Sequence, residues 1–267
     1  MRIISLLTDF GLKGYYVGAM KAVLLSLCQE TMIVDISHEV PRWGIREGSY
    51  ILSCCHKYFP KNTVHLVVID PGVGTSRRGI VIRSRNYTFV GPDNGVLIPA
   101  AQEDGIISMY SIENKDLFLE KVSPTFHGRD IFAPVAARIA CGMSPSIVGP
   151  EINDPVIPSF SEPVVDKRER VIHCEVMFID DFGNVATNIT SDLLKSIGVD
   201  YGSKLKISYG EEEITVSLLP SFGHVEEGEI LALINSCNRL ELAVNKGNAA
   251  GLLKLRVGDR LSVEVIR

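Results

Sequence analysis

The chain has 267 residues, of which 46% are hydrophobic and 22% are charged, and its formal net charge at pH 7 is −5. That length and composition are typical of a globular protein with one large domain or two ordinary ones. The negative net charge argues against a general nucleic-acid or acidic-membrane binder, because both partners attract a basic face. The opening residues MRIISLLTDFG lack a signal peptide's apolar stretch and cleavage site, and no segment approaches the ~20 apolar residues of a membrane span. We therefore expect a cytoplasmic protein.

Strand and helix patterns alternate along the first half of the chain. The predicted elements are a strand over 2–7, a helix over about 15–28, a strand over 32–37, a helix over 44–59, strands over 63–70, 79–83 and 87–90, and a helix near 130–141. Continuous β-branched runs separated by helices predict an α/β domain with a mostly parallel sheet covered on both faces.

The pattern changes after residue 150. Residues 151–163 contain three prolines and no helical period, which is typical of a linker. Short apolar runs then follow one another, separated by Gly, Pro, Asn or Asp, and this spacing predicts an all-β antiparallel domain that forms a small barrel or sandwich. We therefore predict an α/β domain over 1–160 and a barrel-like β domain over 161–267.

The cysteines form no CxxC pair and most lie in apolar segments, so we expect buried thiols rather than disulfides or zinc ligands. They are Cys28, Cys54, Cys55, Cys141, Cys174 and Cys237. Most histidines likewise lack a ligand spacing such as HxH or HExxH, and no metal site is expected. These histidines, for which we expect structural roles, are His38, His56, His65, His173 and His224.

The segment VVIDPGVGTSRRG, residues 67–79, ends an apolar run on Asp70 and continues into a glycine-containing loop with two arginines. It lacks the spacing and the lysine of a Walker loop, and its glycines precede a strand rather than the helix of a dinucleotide site. Strands that end in Asp9 and Asp70 place both carboxylates at the carboxyl edge of a parallel sheet, where ligands bind. There Asp70 can hold a ribose hydroxyl, orient a water or cap its own loop, and the pattern leaves these alternatives open.

The polar segment SPTFHGRD, residues 123–130, precedes the last predicted helix of the first domain. It places His127 between Phe126 and Gly128, and the glycine allows the backbone to approach a ligand closely. His127 is therefore a candidate for chemistry, with a loop histidine of no special role as the alternative.

Two segments of the second domain combine polar and aromatic residues. IDDFGNVATNI, residues 179–189, contains Phe182, which offers a stacking face, and Asn184, whose amide can bind an adenine edge. NSCNRLELAVNKGNAAG, residues 235–251, adds Ser236 and Glu241. Each segment alone is ordinary turn chemistry, but together they predict a pocket for a nucleoside that carries a cationic group.

Several longer motifs occur in a characteristic order. They are TDFGLKGYYVGAMK, DISHEV, NTVHLVVIDPGVGTSRRG, PDNGVL, FHGRDIFAPVAA, IDDFGNVATNI and NKGNAA. In these motifs, which run from the N-terminus to the last strands, the chain resembles the S-adenosyl-L-methionine (SAM) hydroxide adenosyltransferases. Those enzymes hydrolyse SAM to adenosine and methionine and are related to the SAM-dependent fluorinase and chlorinase.

The resemblance implies a homotrimer in which each active site lies between the first domain of one copy and the second domain of its neighbour. The family's Asp–Arg–His triad corresponds to Asp70, Arg77 and His127, with Arg77 chosen over Arg78 by motif register. The implied substrate-binding residues are Asp9 and Trp43 at the ribose, Phe126 beside the triad, Phe182, Asn184 and Phe222 at the adenine, and Asp180 or Asp181, Ser236, Glu241 and Lys246 at the methionine. SAM is the substrate in that family, so no cofactor is expected.

The halogenases provide a contrast within the same resemblance. They carry Tyr at the position of Asp70, Thr at Val73 and Ser at Gly128, together with an added loop that this chain lacks. These differences favour water over halide as the nucleophile. The prediction is therefore hydrolysis of SAM by attack of water or hydroxide at C5′, with adenosine as product. A SAM-dependent halogenase and a non-catalytic SAM or adenosine sensor are the alternatives.

Overall fold

The computed structural model describes residues 2–160 and 162–266. The chain divides into two compact units, Met1–Ser159 and Phe160–Arg267, and the division falls inside the proline-containing segment 151–163. Among the residues described, none of the helices is long and apolar enough to cross a membrane.

The first unit is an α/β structure. Its strands are β1 (Arg2–Thr8), β2 (Thr31–Ser37), β3 (Val64–Val68), β4 (Gly79–Ser84), β5 (Thr88–Pro92) and β6 (Ile106–Ser111). Its helices are α1 (Tyr16–Leu27), α2 (Ile45–Cys55), α3 (Ile98–Asp104) and α4 (Ala133–Ala140). The sequence patterns do not predict α3 or β6, because both are too short to establish a clear period.

Within the described part of this unit, the strands form a six-stranded sheet in the order β2-β1-β3-β5-β4-β6. Strands β2, β1, β3 and β5 are parallel, whereas β4 is antiparallel to both β5 and β6. The predicted mostly parallel sheet is thus confirmed. Strand β4 reverses direction because only residues 85–87 join it to β5, which is too short a connection for a parallel crossover.

Apolar side chains cover both faces of this sheet. On β1, Ile4 and Leu6 belong to the core that includes residues of α1 and α4, whereas Leu7 belongs to the core that includes residues of α2 and α3. Residues 3–8 are therefore all buried, which explains why the strand is a continuous rather than an alternating apolar run.

A disulfide joins Cys28, which follows α1, to Cys141, which follows α4. The expectation of buried thiols is wrong for this pair, and Cys54 and Cys237 are not free thiols either. An apolar sequence context predicts burial, but pairing depends on two helices packing on the same face of the sheet, which local sequence does not encode. Cys55 and Cys174 are free thiols, and burial raises the pKa of the Cys174 thiol to about 12.

The second unit is built from antiparallel strands. They are β7 (Val164–Asp166), β8 (Val171–Ile179), β9 (Val185–Thr190), β10 (Lys204–Tyr209), β11 (Glu212–Ser217), β12 (Ile230–Ile234), β13 (Arg239–Val244) and β14 (Arg260–Ile266), with short helices α5 (Ser191–Ser196) and α6 (Ala249–Leu253). The sheet order is β11-β10-β14-β8-β9-β13-β12, and β7 pairs with β8. A bridge between Leu218 and Ala232 links the two ends of this order, so the sheet is a nearly closed barrel around an apolar core. The predicted antiparallel, barrel-like fold is confirmed.

Candidate active site

Three charged or polar side chains from two loops of the first unit meet in one cluster. Asp70 lies two residues beyond β3, Arg77 lies in the loop before β4, and His127 lies directly before the turn Gly128–Phe132. Arg77 Nε donates to Asp70 Oδ1 at 2.8 Å, while Arg77 Nη2 donates both to Asp70 Oδ2 and, at 3.0 Å, to His127 Nδ1. The guanidinium thus links the carboxylate to the imidazole.

The polarity of this cluster fixes the tautomer of His127. A guanidinium has only donors, so Nδ1 of His127 accepts and the proton of the neutral ring is on Nε2. Burial and the charge of Arg77 both lower the pKa of His127 below its usual value. At neutral pH the ring is therefore uncharged and presents an N–H donor at Nε2.

Close packing between two loops brings Arg77 to His127. Gly74 has φ +76°, and a Cβ atom there would lie 2.3 Å from the carbonyl oxygen of Pro124. Glycine is therefore required for the loop of Arg77 to contact the loop of His127. The second loop is itself held by the buried Asp130, whose Oδ2 accepts from the backbone N–H of Ser123 at 2.8 Å.

The neighbouring arginine has different partners. Arg78 Nε donates to Asp93 Oδ2 at 2.9 Å, and Arg78 Nη1 donates to Asp154 Oδ1 at 3.0 Å. Arg78 thus ties the segment before the unit boundary to the end of β5. Of the two adjacent arginines, Arg77 is the one that reaches both Asp70 and His127.

Asp9 lies at the same edge of the sheet as Asp70. Strands β1 and β3 are adjacent and parallel, with Thr8 paired to Val68, so the residues that follow them are neighbours. Burial raises the pKa of Asp9, the charge of Asp70 adds to that effect, and a hydrogen bond from the Trp43 backbone N–H to Asp9 Oδ2 at 2.8 Å opposes it. Trp43 is 69% exposed, so its side chain does not enter the core.

Phe126 contributes to an aromatic cluster beside His127. Its ring is only 4% exposed and lies 5.1 Å from the ring of Tyr16, 5.8 Å from that of Phe10 and 6.3 Å from that of Tyr15. Because Tyr15 and Tyr16 are exposed, the outer part of this cluster forms an apolar surface beside the charged groups.

In the second unit, the loop between β8 and β9 is organised by Asp180. Oxygen Oδ1 of Asp180 accepts from the backbone N–H groups of Phe182 (3.0 Å) and Asn184 (2.8 Å), and Oδ2 accepts from the Asn184 side chain (2.9 Å). Gly183 has φ +82° and packs against Asn248. The loop thereby holds the Phe182 ring in solvent, 77% exposed, and leaves Asp181 as its exposed carboxylate.

The other predicted residues of the second unit have varied surroundings. Glu241 is buried and accepts from Asn235 Nδ2 at 2.8 Å, and burial raises its pKa. Lys246 pairs with Glu227. Ser236 and Phe222 are exposed.

Sequence patterns missed some residues that support the cluster. Asp130 ends the motif SPTFHGRD. Its position three residues after His127 is the signal that its carboxylate could bind the backbone of that loop. Thr8 and His38 flank the ends of β1 and β2, but no local spacing relates them. Over residues 2–160 and 162–266, no group of three or more His, Cys, Asp or Glu side chains is arranged to hold a metal ion.

Comparisons with known proteins cover nearly the whole chain. Residues 4–149 match the SAM hydroxide adenosyltransferase N-terminal domain, and residues 174–262 match the C-terminal domain of the same family. A relative from Salinispora tropica named (R)-S-adenosyl-L-methionine hydrolase is 38% identical, over 97% of each chain. A fluorinase from Actinopolyspora mzabensis is 29% identical, over 99% of this chain and 97% of its own. The crystal structure of an uncharacterized conserved protein from Thermotoga maritima matches with a TM-score of 0.91 at 41% identity, over 97% of this chain and 99% of that one.

Proposed function

The chain belongs to the SAM hydroxide adenosyltransferase family and is a SAM hydrolase, and we propose that Asp70, Arg77 and His127 direct a water molecule to C5′ of SAM. The observation that carries this proposal is the guanidinium of Arg77, which binds the carboxylate and the imidazole at once. The cluster is largely buried, with side chains of Asp70 and Arg77 that are 5% and 13% exposed, so its charges act with little screening by solvent.

The reaction is a displacement at carbon. The oxygen of water forms a bond to C5′, the C5′–S bond breaks, and its electron pair returns to the sulfur of methionine. Neutral water is a poor nucleophile, but it becomes strongly acidic as the new bond forms. A carboxylate can therefore accept the released proton even while it is paired with an arginine. In this proposal Asp70 accepts the proton, and His127 holds the attacking oxygen through its Nε2–H.

Arg77 orients the two other groups rather than acting as a base. Its guanidinium stays charged and has a planar fork that fits the Asp70 carboxylate with two parallel hydrogen bonds. The remaining Nη2 contact fixes His127 as a donor. Correct alignment of the nucleophile with the C5′–S bond supplies a large part of the rate enhancement.

Substrate binding follows the same proposal. Asp9, beside Trp43, accepts from the ribose hydroxyls, and Phe126 supports the aromatic surface next to the triad. Phe182, Asn184 and Phe222 bind the adenine, while Asp181 or Asp180, Ser236, Glu241 and Lys246 serve the methionine moiety. Copies of the chain associate as a homotrimer in which the first unit of one copy and the second unit of its neighbour complete each site. No cofactor is required, and adenosine is released.

Packing around Gly128 supports water rather than halide as the nucleophile. A Cβ atom at Gly128 would lie 3.2 Å from Val68 Cγ1 and 3.3 Å from Met20 Sδ. A serine, which the halogenases carry at this position, would therefore need these neighbours to move. The chain is packed around the smaller residue.

The test is turnover of SAM in ¹⁸O-labelled water with excess fluoride or chloride, followed by mass spectrometry of the nucleoside. We expect adenosine with one ¹⁸O atom, and Asp70→Asn should form it far more slowly. A 5′-halogenated nucleoside as the main product would contradict the hydrolase proposal. Binding of SAM without any turnover would instead indicate a sensor.

A further inference from the structure

A buried histidine lies beside the end of β1. The pairing of β1 with β2 shifts by one residue after Leu6, which pairs with Asp35, so that Leu7 pairs with Ser37. This shift brings His38 level with Thr8. Thr8 Oγ1 lies 2.8 Å from His38 Nδ1, and His38 Nε2 lies 3.1 Å from Asp35 Oδ1. The His38 side chain is 2% exposed and is not part of the proposed chemistry.

Charged and polar groups lie on both sides of the His38 ring. Partial burial raises the pKa of Asp35, but the contacts with Lys21 and His38 outweigh it and lower the pKa overall, so Asp35 is ionised. The Thr8 hydroxyl forms a hydrogen bond with His38 Nδ1 at 2.8 Å, and its oxygen accepts from the Phe10 backbone N–H at 3.3 Å.

These contacts hold the backbone on the C-terminal side of Asp9. The Phe10 N–H is bound by Thr8 Oγ1, and the Gly11 N–H donates to the carbonyl oxygen of His38 at 2.7 Å. Both peptide groups that follow Asp9 are thus tied to His38, directly or through Thr8. We propose that His38 is a positioning residue for Asp9, which it orients through Thr8 so that the carboxylate can accept from the ribose hydroxyls of the substrate.

This inference rests on the proposed function, in which Asp9 binds ribose. Such recognition requires a donor–acceptor geometry held within roughly 0.5 Å. The Trp43 backbone N–H holds Asp9 Oδ2 at 2.8 Å, and the contacts of Thr8 and His38 hold the backbone that follows Asp9. On the other side of the imidazole, the Asp35 carboxylate is held by Lys21 at 2.5 Å and lies 3.1 Å from His38 Nε2. In this proposal the contacts of Thr8 and His38 affect recognition of the ribose hydroxyls and not binding of the adenine or the sulfonium.

The same strand contains a matched control. Ser5 Oγ lies 2.6 Å from His65 Nδ1, so β1 has a second buried pair of a hydroxyl and a histidine. That pair lies three residues upstream of Thr8 and is surrounded by the rings of Phe59, Tyr87 and Phe89. Loss of the Ser5–His65 hydrogen bond should lower the stability of the fold without changing the orientation of Asp9.

The experiment compares the dissociation constants of adenosine and 2′,3′-dideoxyadenosine by calorimetry. Because a hydrogen bond to a charged group typically changes affinity by roughly ten- to a hundred-fold, the native protein should prefer adenosine by that order. His38→Ala and Thr8→Val should lower this preference about tenfold, mainly by weakening adenosine binding. Thr8→Ser, which keeps the hydroxyl, should retain the preference, and so should His65→Ala. Asp9→Asn should abolish it.

The outcomes separate the two proposals. A native preference that persists in both His38→Ala and Thr8→Val would overturn the positioning role and leave the hydrolase proposal intact. If His38→Ala does not fold, the Thr8→Val and Thr8→Ser pair decides, because Thr8→Val changes few atoms and Thr8→Ser retains the hydroxyl. A native protein that binds neither nucleoside would overturn the proposed function, and the positioning role with it. A uniform loss of affinity for both nucleosides would mean that His38 is merely structural and would also overturn the inference.

Discussion

The cluster of Asp70, Arg77 and His127 in the first unit and the loop of residues 180–184 in the second are both rich in polar groups, but they are built differently. The hydrogen bonds of the cluster connect residues that are seven and fifty positions apart in the chain. Those of the Asp180 carboxylate span two to four positions. The cluster therefore exists only in the folded unit, whereas the loop satisfies its own polar groups locally.

The cluster and the loop therefore present different groups to a ligand. In the cluster, the ionised groups bind one another while His127 keeps an N–H donor at Nε2 for a further partner. In the loop, both oxygens of Asp180 already accept hydrogen bonds, and the group it presents is the ring of Phe182. Substitutions in the cluster should mainly change the rate, and substitutions in the loop should mainly change binding and stability.

The largest effect is expected in the cluster. Asp70→Ala, Arg77→Ala and His127→Ala should each lower the single-turnover rate of adenosine formation from SAM by about 10²–10⁴-fold, as is usual for groups that position or accept a proton. Because the three side chains act as a unit, the double variants should lose much less than the product of the single losses.

Arg78→Ala is the matched control for Arg77→Ala. It leaves the buried carboxylate of Asp93, which is 1% exposed, without its ion pair, so it should cost about 1–3 kcal/mol of stability with near-native turnover. Equal rate losses for the two arginine variants would show that the contacts of Arg77 with Asp70 and His127 are not what matters for catalysis.

The second prediction tests whether the cluster of one copy and the loop of a neighbouring copy together form one site. His127→Ala chains, which should lack turnover, and Asn184→Ala chains, which should bind SAM weakly, are dissociated, mixed and reassembled. They are assayed at a SAM concentration at which neither variant alone is active. If neighbours complete each site, some sites will contain both native halves, and activity should return to a measurable fraction of the native value. Persistent inactivity in mixed oligomers that mass spectrometry has verified would contradict a shared site but not hydrolysis.

The third effect contrasts the units in acid. Burial lowers the pKa of His65 in the first unit to about 3 from 6.5, whereas His173 and His224 in the second unit are exposed. Between these pH values the unfolded chain binds a proton that the folded unit does not, so the stability from His65 is complete above pH 6.5 and is lost as the pH falls toward 3. At pH 4.5 the loss should be about 2–3 kcal/mol.

Urea unfolding at pH 7 and pH 4.5 measures this loss, with fluorescence of Trp43, the single tryptophan of the chain, as the signal for the first unit. His65→Leu should be less stable than the native protein at pH 7. Between pH 7 and pH 4.5, however, its free energy of unfolding should fall by about 2–3 kcal/mol less than that of the native protein. The same pH dependence in native and variant proteins would assign the acid sensitivity to other groups.

The smallest effect concerns the loop. In Gly183→Ala, the new Cβ would lie 2.3 Å from Asn248 Cγ at φ +82°, so we expect a stability loss of about 2–3 kcal/mol and a raised KM for SAM. Gly228→Ala is the control, because Gly228 has φ +86° with no atom within 4 Å of the added Cβ, and backbone strain alone should cost about 1 kcal/mol. Equal losses in thermal or urea unfolding would show that contact with Asn248 contributes nothing.

Much of the fold could be predicted from the sequence because its signals are local. The run of buried residues in β1 and the apolar face of α1 define their elements without reference to the rest of the chain. The short connections in the second half predict antiparallel pairing. Elements with weak local signals, such as α3, β6 and β9, could not be predicted, because their placement depends on the surfaces they cover.

By itself, the sequence determined the two kinds of fold, the placement of Asp9 and Asp70 after parallel strands, and the motifs through which Arg77 and His127 could be matched to a family. Only the tertiary structure decided that Arg77 reaches His127, that Cys28 and Cys141 form a disulfide, and that His38 approaches Thr8. The physical reason is that strand periodicity and turn chemistry act over a few residues. These three contacts instead depend on the relative positions of segments distant in the chain, which are fixed by sheet register, helix packing and the approach of Gly74 to Pro124.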